Sequence, residues 1–531
     1  MRRNMHVALA FLGLLLGTAG CDSFLTGDKL SQDPNLPTAA SAQQLFVGIQ
    51  AGQFALQEGT IAMVMCEWVQ SCSAGNSRFV QQAAQYVIGE TQGIGIGDWI
   101  SAYDGGGLID IRSLEADVGA VNDSVWLGIA QIWEAFTMGT VSSTWGDVPY
   151  SQAVSGKTDP VLDDRFAILG DLQTLLSTAI TNLAGSGTGP GASDLVLGGD
   201  KAAWTKVAWT LKARYYMHTA ESLGTPAYLA AIAAATNGIS DATGKSDFAS
   251  FHTTATSERN MWTQFQTGSG FGTDLEGGKA LIDILKARND PRLAKYYCKA
   301  TTAAWKAKSR YLKNGAILDP NGNMEQVTAI VDTSKNFSGS TQPTWPTTAG
   351  TTTVDSDVTW INRGLPYVGD DFNTPPPPPV SQFNCLPPRF APDARIPYVS
   401  YVENELILAE AYNKTGDDVD ALLHLNNARA TVPLAALAGI TGAALLDSVM
   451  IEKYAAMFQN IESINDYRRT CIPALVHSAN SQGFQNVPGR WFYPLNERNV
   501  NPNVPLPSIQ LATHGFRNKG DVHACENDNS P

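Results

Sequence analysis

The sequence predicts a mainly all-α fold, with tetratricopeptide-like helix pairs packed in one body and a long loop-rich insertion at about 299–395. Three observations predict it. Apolar residues recur at three-and-four spacing through four long segments and one shorter one, the period of a helix face. The stretch YVENELILAEAYNKTGDDVDALLHLNNARA at 401–430 reads as two helices around a tight turn, the unit of tetratricopeptide-like arrays. From about 299 the periodicity gives way to Thr, Ser, Gly, Asn and Pro, and TPPPPPV at 374–380 is a stiff extended segment.

The elements follow in order. Arg2, Arg3 and His6 precede an apolar run from Val7 to Leu16. A membrane-spanning helix needs about 20 such residues, so this run is too short. With the small residues Thr18, Ala19 and Gly20 it reads as a signal peptide over 1–20. Residues 21–40 are polar and turn-rich, as a tether should be. Ser41 to about Glu58 reads as a helix capped by Ser41, with Leu45, Phe46 and Ile49 on one side. Val125–Val141 carries Trp126, Ile129, Ile132, Trp133 and Phe136 at helical spacing. Arg165–Leu183 and Lys201–Glu221 repeat the pattern, and Leu275–Ala287 is a shorter helix ended by NDPRL. In the 401–430 pair, Gly416 ends the first helix in the manner of a positive-φ C′ glycine. Asp417 or Asp418 caps the second. No strict 34-residue repeat is present.

Bulk properties bound the function. The chain has 531 residues, 44% hydrophobic and 16% charged, ample for a large core. A net charge of −14 argues against a nucleic-acid surface, which needs a basic stripe. Seven cysteines are present. With Cys21 set aside, Cys66, Cys72, Cys298, Cys385, Cys471 and Cys525 form an even set suited to an oxidising compartment. Cys66 and Cys72 are close enough to pair across a turn, and the rest are unassigned. No CxxC pair exists, so structural zinc is not expected. DPNGNME at 319–325 spaces Asp319, Asn321 and Asn323 like the start of a calcium loop but lacks the EF-hand glycine and glutamate. No HExxH, GxSxG, Walker loop or complete GxGxxG occurs, and no cofactor or metal is expected.

Several segments together resemble one family. TAGC at 18–21 resembles a bacterial lipobox, with Thr18 where that pattern prefers Leu, which makes Cys21 the lipidated residue. WGDVPYSQAV at 145–154, ASDLVLGGDKAAWTKVAWTLKARYYMHTA at 192–220 and NDPRLAKYY at 289–297 follow. The 401–430 pair, NDYRRTCIPAL at 465–475 and GRWFYPLNERNVNP at 489–502 complete the series. Their order and spacing resemble SusD/RagB-family outer-membrane nutrient-binding lipoproteins over nearly the full length. The resemblance implies a helical body over 41–531 at the cell surface of the outer membrane, held there by lipid. It implies capture of a glycan or other nutrient and delivery to a SusC-like TonB-dependent transporter barrel, with no chemistry done on the ligand. An anchored glycan-degrading enzyme and a helical-repeat protein scaffold are the alternatives.

Sugar recognition needs flat apolar faces for C–H groups and a few polar groups for hydroxyls. The insertion supplies Trp305, Tyr311, Trp345, Trp360, Asn362, Arg363 and Tyr367. Asn76, Arg78 and Phe79, in SAGNSRF, form a second candidate patch. The same aromatics would equally serve to pin the insertion to the body. The charged residues of the family-like motifs, among them Asp147, Asp290, Arg292, Asp466, Arg468, Arg469, Arg490 and Glu497, read as architectural.

Overall fold

The computed structural model describes residues 40–74, 83, 86–90, 95–267, 275–297, 311–313, 316–318, 324–325, 358–360, 388–475, 484 and 486–521. The signal segment and Cys21 lie outside the described residues.

Helix α1 (Ala42–Glu58) starts on Ser41. The Ser41 hydroxyl accepts from the Gln44 N–H while the Gln44 side chain accepts from the Ser41 N–H, a reciprocal cap. After α2 (Thr60–Trp68) comes the short strand β1 (Cys72–Ala74), and the disulfide Cys66–Cys72 joins the two. Then follow α3 (Ile96–Tyr103), α4 (Leu108–Ala120), α5 (Ser124–Trp145), α6 (Arg165–Leu183), α7 (Lys201–Leu223) and α8 (Thr225–Ala235). Asp123, Asp164 and Asp200 cap α5, α6 and α7 by accepting first-turn backbone N–H bonds.

Beyond α8 the chain forms β2 (Phe248–Ala249), α9 (Met261–Thr267), β3 (Leu275–Gly277), α10 (Lys279–Ala287) and α11 (Arg292–Tyr296). The insertion contributes β4 (Tyr311–Lys313), β5 (Ala316–Leu318), β6 (Met324–Glu325) and β7 (Val358–Trp360). Strand β8 (Pro397–Val399) returns to α12 (Tyr401–Thr415), α13 (Asp418–Ala430), α14 (Gly442–Ala456) and α15 (Glu462–Thr470). Short helices α16 (Leu495–Val500) and α17 (Pro507–Ala512) follow.

Each helix from α4 to α8 packs on the next; α8 then packs on α12, and α12 on α13 and α14. The array is therefore continuous in space although residues 236–400 separate α8 from α12 in sequence. The expected turn at 416–417 is present: Gly416 sits at φ 90° and Asp417 accepts from the Asp420 N–H. Among the described residues no helix is long and apolar enough to cross a membrane.

Two expectations change. Leu275–Gly277 is not the start of a helix; it is β3, paired antiparallel with β1, and the helix begins at Lys279. Helix α5 extends the expected Val125–Val141 segment to Ser124–Trp145, and every residue from Gly128 to Trp145 is buried. Its neighbours α4, α6 and α7 surround it, so the three-and-four stripe marks only part of its packed surface. Gly139 is required there: a Cβ would lie 2.1 Å from the Tyr215 Oη, which donates to the Ala135 carbonyl at 2.7 Å.

The described residues of the insertion are short strands, which a loop-rich region accommodates. Strands β6-β5-β4-β7 form an antiparallel four-stranded sheet in that order. Near its C-terminal end, Phe390, Ile396, Tyr398 and Val399 are buried.

Candidate functional site

The chain that leaves the array after α8 and the chain that returns to α12 run side by side. Phe248 pairs with Val399, and the Ser250 N–H donates to the Ile396 carbonyl at 3.0 Å. Further out, Asn260 N–H donates to the Pro392 carbonyl at 2.8 Å, and the Thr263 hydroxyl to the Phe390 carbonyl at 2.6 Å. Trp262 meets Phe390 edge-on at 5.8 Å. The Arg389 guanidinium lies 5.8 Å from the Tyr296 ring centre, a cation–π contact. Phe458 closes this aromatic base, stacking on Tyr296 at 4.6 Å and touching Tyr297 at 5.3 Å and Phe390 at 6.4 Å.

A second root joins the same place. The Ser71 carbonyl accepts from the Tyr297 hydroxyl at 2.7 Å and from the Gly278 N–H at 3.1 Å. In the β1–β3 register Ala74 stands opposite Leu275. The segment leading to Asn76, Arg78 and Phe79 thus departs beside β3, one short strand away from where the insertion departs after Tyr297. Ala74, the last described residue before the Asn76 segment, and Tyr297, the last before the insertion, are thus tied to the same strand pair, Tyr297 through Ser71.

Of the residues named from sequence, Tyr311 and Trp360 fall in described strands. They stand directly opposite each other in the β4–β7 pairing. Trp305, Trp345, Asn362, Arg363, Tyr367, Asn76, Arg78 and Phe79 lie outside the described residues, as do Asp319, Asn321 and Asn323. Trp99 and Tyr103, on α3, belong to an aromatic cluster: Trp99 is buried against Trp145 at 5.3 Å and Tyr493 at 5.9 Å. The sequence allows short strands in this region without placing them. Asn314-Gly315 between YLK and AIL carried the signal, since Asn-Gly between two short apolar runs marks a two-residue hairpin connection.

The charged motif residues build the frame. Arg292 holds Asp290 at 2.6 Å across its turn and reaches Glu452 of α14 at 2.6 Å; Arg288 and Arg429 also contact Glu452. Arg469 pairs with Glu410 at 2.5 Å and with Asp466 at 2.7 Å, and Lys453 joins both carboxylates. Burial opposes ionisation of Glu410, but Arg469 and Lys453 together hold its carboxyl below the usual range. Arg214 grips Glu403 at 2.6 Å. Burial pushes the neighbouring His218 down, and its Nε2 lies 2.8 Å from Glu462. Arg490 and Glu497 do not pair in the described bonds. Arg490 donates to the Gln510 carbonyl, and Glu497 accepts from the Trp99 indole and the Asn501 amide.

A pair of glutamates also meets at the α4–α5 contact. Glu134 accepts from Arg112 and, at 2.9 Å, from the Tyr150 hydroxyl. Burial pushes the nearby Glu115 up to about 8, helped by the Glu134 charge and a hydrogen bond between the two. This pair fastens α4, α5 and the 145–154 loop. No group of three His, Cys, Asp or Glu suited to a metal occurs among the described residues.

The comparisons fit this architecture. A family profile described as "SusD-like: Starch-binding associating with outer membrane" matches residues 34–349. No curated protein matches the sequence. Among solved structures, a SusD/RagB-family protein from Bacteroides thetaiotaomicron is 17% identical, with 91% of this chain and 97% of that chain covered at a TM-score of 0.56. A chitin-binding SusD homologue from Flavobacterium johnsoniae is 16% identical, with 91% and 98% covered at 0.61. A SusD homologue from Bacteroides fragilis is 15% identical, with 91% and 100% covered at 0.60. At these identities the structural likeness speaks for the fold, and the profile covers more than half of the sequence: the chain belongs to the SusD-like family.

Proposed function

We propose that this protein is a lipid-anchored, cell-surface binding protein of the outer membrane that captures a glycan and delivers it to a SusC-like TonB-dependent transporter. The observation that carries the reading is the family match over residues 34–349, to a family described by starch binding and outer-membrane association. The chitin-binding relative shares the fold and widens the glycan class. In this reading residues 1–20 are removed as a signal peptide, Cys21 carries the lipid, and residues 22–40 tether the body. One acyl chain holds a protein weakly, at about 0.8 kcal/mol per buried CH₂, whereas two or three hold it stably.

Ligand contact is assigned to the insertion and to the Asn76, Arg78 and Phe79 segment. Tyr311 and Trp360, opposite each other in the β4–β7 register, are the pair to test first. Trp305, Trp345, Asn362, Arg363 and Tyr367 are assigned to the same lobe. The protein performs no chemistry on the glycan.

Affinity electrophoresis through gels containing soluble starch or glycol chitin tests capture. Retardation of the wild-type protein by one polysaccharide, lost in Trp360→Ala, is the expected result. Equal mobility in both gels removes these two glycans as ligands. A mild-detergent pull-down from native membranes tests delivery, and a stoichiometric β-barrel receptor should co-purify. If no barrel appears and the bound glycan is shortened on incubation, the anchored-enzyme reading replaces this one.

A further inference from the structure

We propose that the surface loop at residues 152–158 is proton-gated: protonated Glu115 leaves Arg112 holding the loop by its carbonyls, and ionisation of Glu115 draws Arg112 away and releases it. The Arg112 guanidinium is the fork between the helices and the loop. It donates to Glu134 of α5 at 3.1 Å, to the Ala153 carbonyl at 3.0 Å and to the Tyr150 carbonyl at 3.3 Å, and lies 5.2 Å from the Tyr150 ring centre. Glu115 stands three residues further along α4, within reach of the same guanidinium. Its Oε1 is buried, and no described group donates to it. One cation thus serves two carboxyls, and the cluster is neutral only when one of them carries a proton. Glu134 already accepts from Arg112 and from the Tyr150 hydroxyl, so the proton belongs on Glu115. Burial and the Glu134 charge push Glu115 up to about 8, which places the change close to neutral pH.

The loop is built to spring from this hold. Val154 sits at φ 50°, a left-handed conformation that a β-branched residue rarely adopts. Its amide belongs to the same peptide unit as the Ala153 carbonyl, so the bond from Arg112 fixes the plane that sets this angle. Both feet of the loop are held by other groups. Asp163 accepts from the Tyr150 and Ser151 N–H groups at 2.8 Å, and the Asn503 amide donates to the Asp159 carbonyl at 2.9 Å. Residues 154–159 are exposed, so the middle can move without opening the core. The other ionisable groups on the elements around α4 are engaged elsewhere. On α3, Tyr103 donates to the Pro149 carbonyl and Asp98 accepts from the Ile61 backbone. The one charged residue of α1, Glu58, meets His252 at 3.0 Å. On α4 itself, Asp110 accepts from the Gly106 N–H and Asp117 is exposed. Burial and the Glu134 charge keep the Tyr150 hydroxyl protonated. The inference holds whatever the ligand is.

The test is native-state cleavage of the full chain by trypsin after Lys157, an exposed residue of the loop, followed by mass spectrometry. Wild type and Glu115→Gln are compared at the same pH, which removes the pH dependence of the protease. At about pH 9 the wild type should be cut about tenfold faster than Glu115→Gln, whose amide does not ionise, and at about pH 7 the two should be cut equally. Arg112→Lys, which loses the fork, should be cut fast at both pH values. Equal rates at the higher pH, or the same difference at the lower one, overturn the proposal. So does a matching increase in cleavage after Lys414 of α12, which would mark loss of the whole fold rather than release of the loop.

Discussion

In the helical array, α7 sends Trp204, Arg214 and Tyr215 inward, and each meets a fixed partner: the Asp194 carboxylate at 2.8 Å, Glu403 at 2.6 Å and the Ala135 carbonyl at 2.7 Å. In the insertion, strands of two or three residues hold their register through backbone pairing. The array thus carries its specification in side chains that cannot be exchanged without leaving a buried charge or a void. The insertion holds its register by backbone pairing between short strands, and its two ends are gathered on Phe458. Solved structures only 15–17% identical to this chain share the fold over 91% of it.

The comparison can be broken most directly in the array. Arg469→Ala leaves Glu410 and Asp466 short of a buried partner and should cost about 3–5 kcal/mol, read as a fall in urea midpoint. A change below about 1 kcal/mol would mean that the network is not structural. Gly139→Ala forces Tyr215 to move and should cost about 1–3 kcal/mol by the same measurement, with the Tyr215→Phe background recovering little because the ring remains.

Titration sharpens the same contrast. Glu115 is raised to about 8 and Asp247 to about 7, each chiefly by burial. A carboxyl with a folded pKa above its unfolded value is most favourable when protonated. Stability should therefore fall as pH rises from about the ordinary carboxyl range of 4 through 7 and 8, and level off above. Thermal melts across that window should flatten in Glu115→Gln; an unchanged slope would assign the effect elsewhere. Asp417→Ala removes the cap of α13 and should cost about 1 kcal/mol. The smallest stability effect is expected for Trp360→Ala, within about 0.5 kcal/mol, while glycan retention falls. A large loss of stability with retention intact would make Trp360 an anchor of the lobe.

The helical frame was legible in local pattern. Arg165–Leu183 was bounded correctly, and Ser41, Gly416 and Asp417 act as the caps and stop that their residue types imply. These signals are local: periodicity reports one face of a helix, and caps satisfy backbone groups within a turn. The same logic failed at Leu275–Gly277, where pairing with β1 overrides apolar spacing. It also understated α5, whose burial on every side depends on helices that arrive later in the chain.

The sequence by itself determined the longest helices, the Ser41 cap, the Gly416 stop, the acidic charge and the residue types able to stack on a sugar, because each follows from composition or from neighbours a few positions away. Only the tertiary structure decided that α8 packs on α12 across residues 236–400, that Phe458 gathers both ends of the insertion, and that Tyr311 stands opposite Trp360. Those relations join residues tens to hundreds of positions apart. Their free energy comes from burial and register, neither of which any short window of sequence contains.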